Sequence, residues 1–570
     1  MITRPQTFKQ ELLNIVGSST FGRYPKISIE KTYNMFMSDN WMVPYAGYQI
    51  AISSEELGFG KEGRGIHTST KLNRLIGVWD SNVYLIQINF NQQQRKVTSY
   101  QVIKIGELQT TTGVVYIAEN NKPQICLSDG VAIYIYDPNP PMGVSNFSVA
   151  TMDGTNPISF IPGFIDFHDT YFLCAARADG FYSPSANNTW RLCESNNGLQ
   201  WPDDASHIGL LQTKPDNTQA VLRFPSKGNM IMVFGSTVSE PWFDVGYQLF
   251  PYQRNTSFNI DYGCLNPATI AALDEFVVWL GMNEKAGPVV FYSDGGMPQQ
   301  VTTDGFDYVL ANLQNPQDSQ GFIYRQDGHL FYHINFYSDN LSFFIDFLKD
   351  GTKKIYHACD ENNNYFIASE VAFFNNQYWF VSKNNGNLYA FDTIFTTYDG
   401  KEIPRIRTCR NIRNIQQESF IANDCGFTIE SGNTDYVQQS YGAIYLKTED
   451  GQQLITQGNP NFFVTENGDQ LITEDENFLV SEQVSEEDYY LLIAEQEDIH
   501  YDVPRIDLSI SIDGGEHFSS YDAQYLPAIG QRKNKLAWWQ LGWANDLVCQ
   551  FRFIGLGRFV ATDGYVNTRQ

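Results

Sequence analysis

No two of the eight cysteines form a Cys-x-x-Cys pair. They are scattered at Cys126, Cys174, Cys193, Cys264, Cys359, Cys409, Cys425 and Cys549. Several sit inside apolar runs such as Tyr171-Phe172-Leu173-Cys174, so free buried thiols made in a reducing cytoplasm are expected rather than a disulfide framework. No stretch reaches the ~20 apolar residues of a membrane helix. Met1-Ile2-Thr3-Arg4-Pro5 leads into polar residues without an apolar core, so no signal peptide is read there. Long Ala/Leu/Glu/Lys runs are missing, and helical signals are confined to Gln10–Val16 and a turn at Pro267–Leu273. Positive charge is scarce: 38 Lys and Arg face 64 Asp and Glu, for a net charge of -26 and a pI near 4.6. Such a surface repels phosphate backbones and argues against a conventional nucleic-acid binder. No G-x-x-x-x-G-K-[ST] loop occurs, which argues against a packaging ATPase.

What is present is aromatic and strand-forming. Aromatics make up 15% of the chain, and short β-runs recur around tight turns. Pairs of runs stand at Leu75–Trp79 and Val83–Ile86, Ile125–Leu127 and Ala132–Asp137, and Tyr171–Leu173 and Thr189–Leu192. Others follow in the Met230 and Phe276 segments, at Leu330–Tyr332 and Phe343–Asp346, and at Tyr378–Val381 and Leu388–Asp392. Asp80-Ser81-Asn82, Ser128-Asp129-Gly130 and Asn384-Asn385-Gly386-Asn387 supply turn chemistry between them. A recurrence of roughly 40–60 residues is that of propeller blades, and radial repetition protects sheet edges. An all-β fold is therefore expected: a β-propeller of about six or seven blades, with a pair of β-sandwiches as the alternative.

Four regions are read. Residues 1–50 form an N-terminal segment anchoring to the propeller, and residues 51–400 form the propeller. Residues 401–447 and 499–570 form a C-terminal β-domain. Residues 448–498 form an acidic, repeat-like insertion with fourteen Asp and Glu and no Lys or Arg. In it Thr448-Glu449-Asp450-Gly451-Gln452-Gln453-Leu454-Ile455-Thr456 is echoed by Thr465-Glu466-Asn467-Gly468-Asp469-Gln470-Leu471-Ile472-Thr473.

No constellation carries chemistry, so no catalytic, cofactor-binding or metal-binding residue is assigned and no enzyme is expected. Ser511-x-Asp513-x-Gly515-x-x-Phe518 resembles the Asp box of sialidase propellers, with a weaker match at Ser195-x-Asn197-Gly198-x-x-Trp201. Such boxes are folding turns. His329 and His333 share a strand-like run, where four residues separate the rings by about 13 Å, too far to share one ion. Glu474-Asp475-Glu476 and Glu486-Glu487-Asp488 read as solvated faces. The Asp/Asn-Gly turns lack the EF-hand order that calcium would need.

The succession Phe234-Gly235-Ser236, Glu240-Pro241-Trp242-Phe243-Asp244-Val245-Gly246, Phe250-Pro251, Gly263-Cys264 and Trp279-Leu280-Gly281 resembles the P22 gp10-like family of podophages, the packaged-DNA-stabilisation or tail-nozzle proteins. The resemblance extends to Gly22-Arg23-Tyr24-Pro25, Tyr33-Asn34-Met35-Phe36 and Pro44–Tyr48. It also takes in Leu508–Ser511, Asp513-Gly514-Gly515, Ile529-Gly530 and Trp538-x-x-Leu541-Gly542. The acidic insertion lies outside it, and Tyr33–Phe36 departs from the usual Asn-Met-Tyr. The resemblance implies a structural virion protein in the phage tail, synthesised in the host cytoplasm. It would form a homohexameric ring that meets the portal adaptor (the head-to-tail connector) and the tail needle or tail fibre or tailspike proteins. The ring would close the portal channel, retain packaged DNA and serve as its exit conduit, without sequence-specific binding or membrane insertion. The competing class is a glycan-binding or sialidase-like propeller, which requires paired carboxylates or an arginine cluster.

Overall fold

The computed structural model describes residues 8–22, 30–431, 504–526 and 533–569. Excepted are 59, 92–95, 180–186, 248, 258, 274–275, 349–351 and 414–417. Of the acidic insertion only the backbone of Gln453–Gln457 and Phe462–Val464 is described. These pair antiparallel, and Leu446–Lys447 adds to the first of them. The second copy of the Thr-Glu repeat and both carboxylate runs lie outside the described residues.

Strands from 47 to 392 fall into seven successive antiparallel sheets, beginning at Gly63, Tyr116, Phe160, Thr218, Gly263, Ser319 and Ala368. Their starts are spaced by 44 to 58 residues. Each sheet's innermost strands pack on those of the next, and Ala368–Phe374 of the last packs on Gly63–Ser69 of the first, so the ring closes. These sheets are the blades of a β-propeller, numbered here 1 to 7 in that order. Blade 7 is completed from elsewhere in the chain: Gly47–Ile52 pairs antiparallel with Asn385–Asp392. The chain therefore enters the ring through the last blade and leaves through it, tying both ends of the propeller together.

The hydrophobic core lies in the seams. Buried clusters join blades 7 and 1 (Trp79, Ile86, Trp379, Leu388), 1 and 2 (Val78, Leu127, Tyr134), and 2 and 3 (Ile135, Phe172, Trp201). Others join blades 3 to 5 (Trp190, Phe234, Trp279), 5 and 6 (Leu280, Tyr332, Phe343), and 6 and 7 (Phe344, Phe380, Phe391). Apolar residues on both faces of the central strands explain the unbroken runs, such as Met230–Gly235, buried throughout. The turns follow the expected chemistry: Asp80, Asp169, Asp327 and Asn340 adopt left-handed angles, with φ of 47°, 55°, 49° and 54°, which short polar side chains tolerate. At Gly386 a side chain is forbidden outright, because a Cβ would run into the carbonyl of Gly60. Gly386→Ala is expected to cost about 1–3 kcal/mol through overpacking, read as a lower urea midpoint.

Beyond the ring, the remaining strands build two further sheets around a common core of Leu13, Met42, Phe427, Trp538, Phe551, Phe553 and Val566. One sheet runs Phe8–Leu13, Gly564–Arg569, Phe420–Ser431, Phe559–Ala561 and the hairpin of Met35–Ser38 and Trp41–Pro44, with Lys533–Ala544 on the other edge of Phe420–Ser431. The other contains Ile406–Thr408, Asp546–Ile554, Arg505–Ser511 and Asp522–Tyr525. It is continuous with blade 6 through Lys31–Tyr33, which pairs parallel with Lys353–Ala358. Residues 8–44 thus supply strands mainly to the C-terminal sheets.

Two helical expectations are settled differently. Gln10–Val16 is not helical: Phe8–Leu13 is a strand registered along Gly564–Arg569, with Leu13 buried and Leu12 exposed. Pairing with a strand some 550 residues away overrides the local preference. Pro267–Thr269 does form a helical turn, capped by Asn266, before the strand Ala271–Leu273. One helix that the sequence reading did not anticipate, Asp304–Ala311, packs Phe306 and Leu310 against blades 5 and 6.

Candidate functional site: the propeller axis and the outer faces

The inner strands are stitched across their seams by polar groups. The Ile66 amide of blade 1 donates to Glu370 Oε2 of blade 7 (3.0 Å), and Thr68 Oγ1 donates to Phe373 O (2.8 Å). Glu119 of blade 2 accepts from the Thr70 amide (3.0 Å) and from the Ser69 hydroxyl of blade 1. Asp166 of blade 3 accepts the Arg223 amide of blade 4 (2.7 Å). Asn335 Nδ2 of blade 6 donates to Ala368 O of blade 7 (2.6 Å). All but the Ser69–Glu119 bond satisfy a backbone group left over at the seams.

At the axis, Tyr116 of blade 2 meets Phe164 of blade 3 with ring centroids 5.0 Å apart. Arg177, Cys264 and Glu370, from blades 3, 5 and 7, lie within electrostatic range of its hydroxyl. Side chains from blades 2, 3, 5 and 7 therefore lie near one another at the centre of the ring.

Glu370 faces this narrow space, half-buried and ringed by protein. Burial pushes its carboxyl from near 4.5 up to about 8, against the lowering effect of the Ile66 amide. Between those values the folded chain holds a proton that the unfolded chain has released, so this group's contribution to stability falls as pH rises through the window. Glu370→Gln keeps the acceptor for Ile66. It is expected to flatten the fall in urea midpoint between pH 5 and pH 8, and an unchanged slope would assign the pH dependence elsewhere.

The buried arginines act as clamps and do not converge. Arg64 donates to Gly113 O (2.6 Å), Asp80 O and Thr110 O (both 2.7 Å), Thr110 Oγ1 (2.7 Å) and Thr112 O (2.8 Å), which matches the five donors of a guanidinium. Arg191 pairs with Asp203 at 2.9 Å. Arg407 pairs with Glu30 at 3.0 Å beyond the ring.

The Asp-box-like turn has the capping half of its geometry. Ser511 Oγ donates to Asp513 Oδ1 (2.6 Å), and the amides of Glu516 and His517 donate to the same oxygen (3.1 Å each). These bonds and His517 hold the Asp513 carboxyl well below its usual range. The turn follows Arg505–Ser511 in a sheet beyond the ring rather than on a blade, and Phe518 is exposed instead of seated. The weaker match is the better seated one: Trp201 is buried between blades 2 and 3, and its Nε1 donates to Gly198 O (2.9 Å).

Asp513, Glu516 and His517 form the one group among the described residues able to surround a metal ion, with ligand atoms within 4.8 Å of one another, and all three are exposed. His329 and His333 do not meet. His329 pairs with Asp346 (2.8 Å) and Ser38 (3.0 Å), whereas His333 is stacked on Phe322 and fully buried, its pKa lowered to about 3 by burial. All eight cysteines are buried and free. No helix among the described residues is long and apolar enough to cross a membrane.

Outward-facing aromatics also stand on the sheets beyond the ring. On Lys533–Ala544, Trp538 points into the core while Trp539 and Trp543 stand 67% and 65% exposed; Tyr525 and Leu12 are similarly uncovered. The acidity is uneven. Residues 51–400 carry 35 acidic against 20 basic side chains, the insertion 14 against none, and the rest is close to neutral.

No curated protein matches the chain significantly. Among solved structures it is similar to the N-terminal domain of Nup159 (9% identity, TM-score 0.37, covering 64% of this chain and 98% of that one). It is also similar to the Dos1 propeller (9%, 0.36, 61% and 95%) and to an ancestral GH74 enzyme (11%, 0.37, 74% and 54%). A family model described as bacteriophage P22 Gp10, β-propeller, matches residues 56–396, which hold every strand of the seven blades but the closing Gly47–Ile52. The chain belongs to this family of phage structural, DNA-stabilising proteins.

Proposed function

We propose that the protein is the tail-nozzle subunit of a short-tailed phage. Copies form a ring, six in the reading that the family resemblance favours, beneath the portal and its adaptor. The ring closes the portal channel after packaging and later passes the genome. The observation that carries this reading is the match of residues 56–396 to a family of DNA-stabilising phage proteins; with side chains of blades 2, 3, 5 and 7 gathered at the centre of the ring, the conduit for DNA lies between copies rather than through one. The excess of carboxylates on the propeller supports a wall that repels phosphates and lets DNA slide. Trp539 and Trp543 are of the residue type that dominates interface energetics, and they supply contacts to a neighbouring copy or to the adaptor.

Sedimentation of the purified chain with and without Trp539→Ala/Trp543→Ala tests the assembly. A ring that falls apart in the variant, with the monomer's circular dichroism unchanged, is the expected result. A wild-type chain that stays monomeric at all concentrations, or is missing from purified particles by mass spectrometry, would refute the reading.

A further inference from the structure

Identical copies joined head to tail need two different surfaces on each copy that fit one another. One sheet beyond the propeller carries such a pair. Phe8–Leu13, Gly564–Arg569, Phe420–Ser431 and Lys533–Ala544 lie side by side in it, each antiparallel to the next. Its first and last strands each pair on one edge alone among the described residues, so both sides end in an open ladder. Neither strand contains proline. An unpaired strand of this kind is a template for another chain.

The register sets which side chains share a face. Gln10, Asn567, Asp424 and Trp539 stand opposite one another across the four strands, and Arg569, Ile421 and Trp543 form the next row. Strand alternation puts Leu12 on the same face as Gln10. The large exposed apolar groups of this face thus stand at its two margins, Leu12 on one and Trp539 with Trp543 on the other. Between them the face is polar, with Asn567 Nδ2 donating to Asp424 (2.9 Å). The opposite face fixes both margins, because Leu13, Phe427 and Trp538 are buried in one core. Charge does not block either edge: Lys9 and Glu11 pair with each other, and Lys533 and Lys535 lie at the far end of their strand from Trp543. Three antiparallel steps leave the two marginal strands running in opposite directions. Rotation about an axis along the strands preserves their direction, so one margin of a copy meets the other margin of the next as an antiparallel pair.

We propose that Lys533–Ala544 of one copy pairs antiparallel with Phe8–Leu13 of the next, carrying the sheet across the subunit boundary and seating Leu12 against Trp539 and Trp543. The occupant of each edge is a second copy of this chain. This rests on the ring reading and assigns the two surfaces that close the ring.

The test is sedimentation velocity of the full chain carrying Leu12→Asp, alone and mixed with the Trp539→Ala/Trp543→Ala chain. Leu12 is 68% exposed, so the Leu12→Asp monomer should keep its circular dichroism while losing the ring, although position 12 lies at the other side of the sheet from both tryptophans. Each variant retains one sound edge, and the two sound edges are complementary. An equimolar mixture should therefore form a dimer and stop there, while either variant alone stays monomeric. Rings that persist in Leu12→Asp, or a mixture of folded variants that stays monomeric, would overturn the pairing and leave the ring itself standing. A Leu12→Asp chain that dimerises alone would show the tryptophan edge meeting its own kind, which also overturns it. A wild-type chain that forms no ring removes the ring reading and this proposal together.

Discussion

Tyr48→Ala should destabilise the chain by about 3–5 kcal/mol, the usual loss for a large buried aromatic. Tyr48 lies on the closing strand Gly47–Ile52 and is 3% exposed. Its ring stacks on Tyr398 at 4.4 Å and meets Phe380, Tyr389 and Phe366 edge-on at 5.3, 5.4 and 6.0 Å. Truncation therefore opens a cavity at the point where the chain's entry into the ring is fastened to its exit. Denaturant titration followed by tryptophan fluorescence checks it. A shift in midpoint below the equivalent of about 1 kcal/mol would mean that the closing strand contributes little.

Arg407→Met should cost a similar amount for a different reason. The Arg407 guanidinium is fully buried and donates to Glu30 Oε2 (3.0 Å), Asn14 O (2.9 Å) and Thr32 Oγ1 (3.0 Å), fastening these three residues to the strand Ile406–Thr408. Removing it strands the Glu30 carboxylate in a site with little water, and breaking one half of a buried pair costs about 3–5 kcal/mol. Adding Glu30→Gln should restore much of that loss, because the uncompensated charge is gone. Stabilities of the two single variants and the double variant, combined as a cycle, give the coupling. Strict additivity would show that the pair is not energetically linked.

The strands and turns were legible because their causes are local. Apolar runs such as Leu75–Trp79 and Val83–Ile86, and Asp or Asn at left-handed turns, carry their instruction within a few residues. Family resemblance was likewise readable from the order of Phe234–Gly246, Gly263-Cys264 and Trp279–Gly281. The axis was not. Tyr116, Arg177, Cys264 and Glu370 are spread over some 250 residues, and nothing in their spacing says that a ring brings them together. Gln10–Val16 was misread for the same reason, since its partner strand lies at the other end of the chain. Trp538 and Trp539 show an intermediate case. Strand alternation predicts that one faces in and one out, but only the pairing with Phe420–Ser431 says which. In the Asp-box-like turn the capping by Asp513 followed from the motif, whereas the exposure of Phe518 depends on a domain the motif does not specify.

Electron cryomicroscopy of the assembled full chain tests the central claim most directly. The account predicts a closed ring of copies, each a seven-sheet propeller, surrounding an opening wider than any propeller axis and lined mainly by carboxylates. Isolated monomers, sheets stacked face to face, or a ring whose opening is lined by lysine and arginine would contradict it.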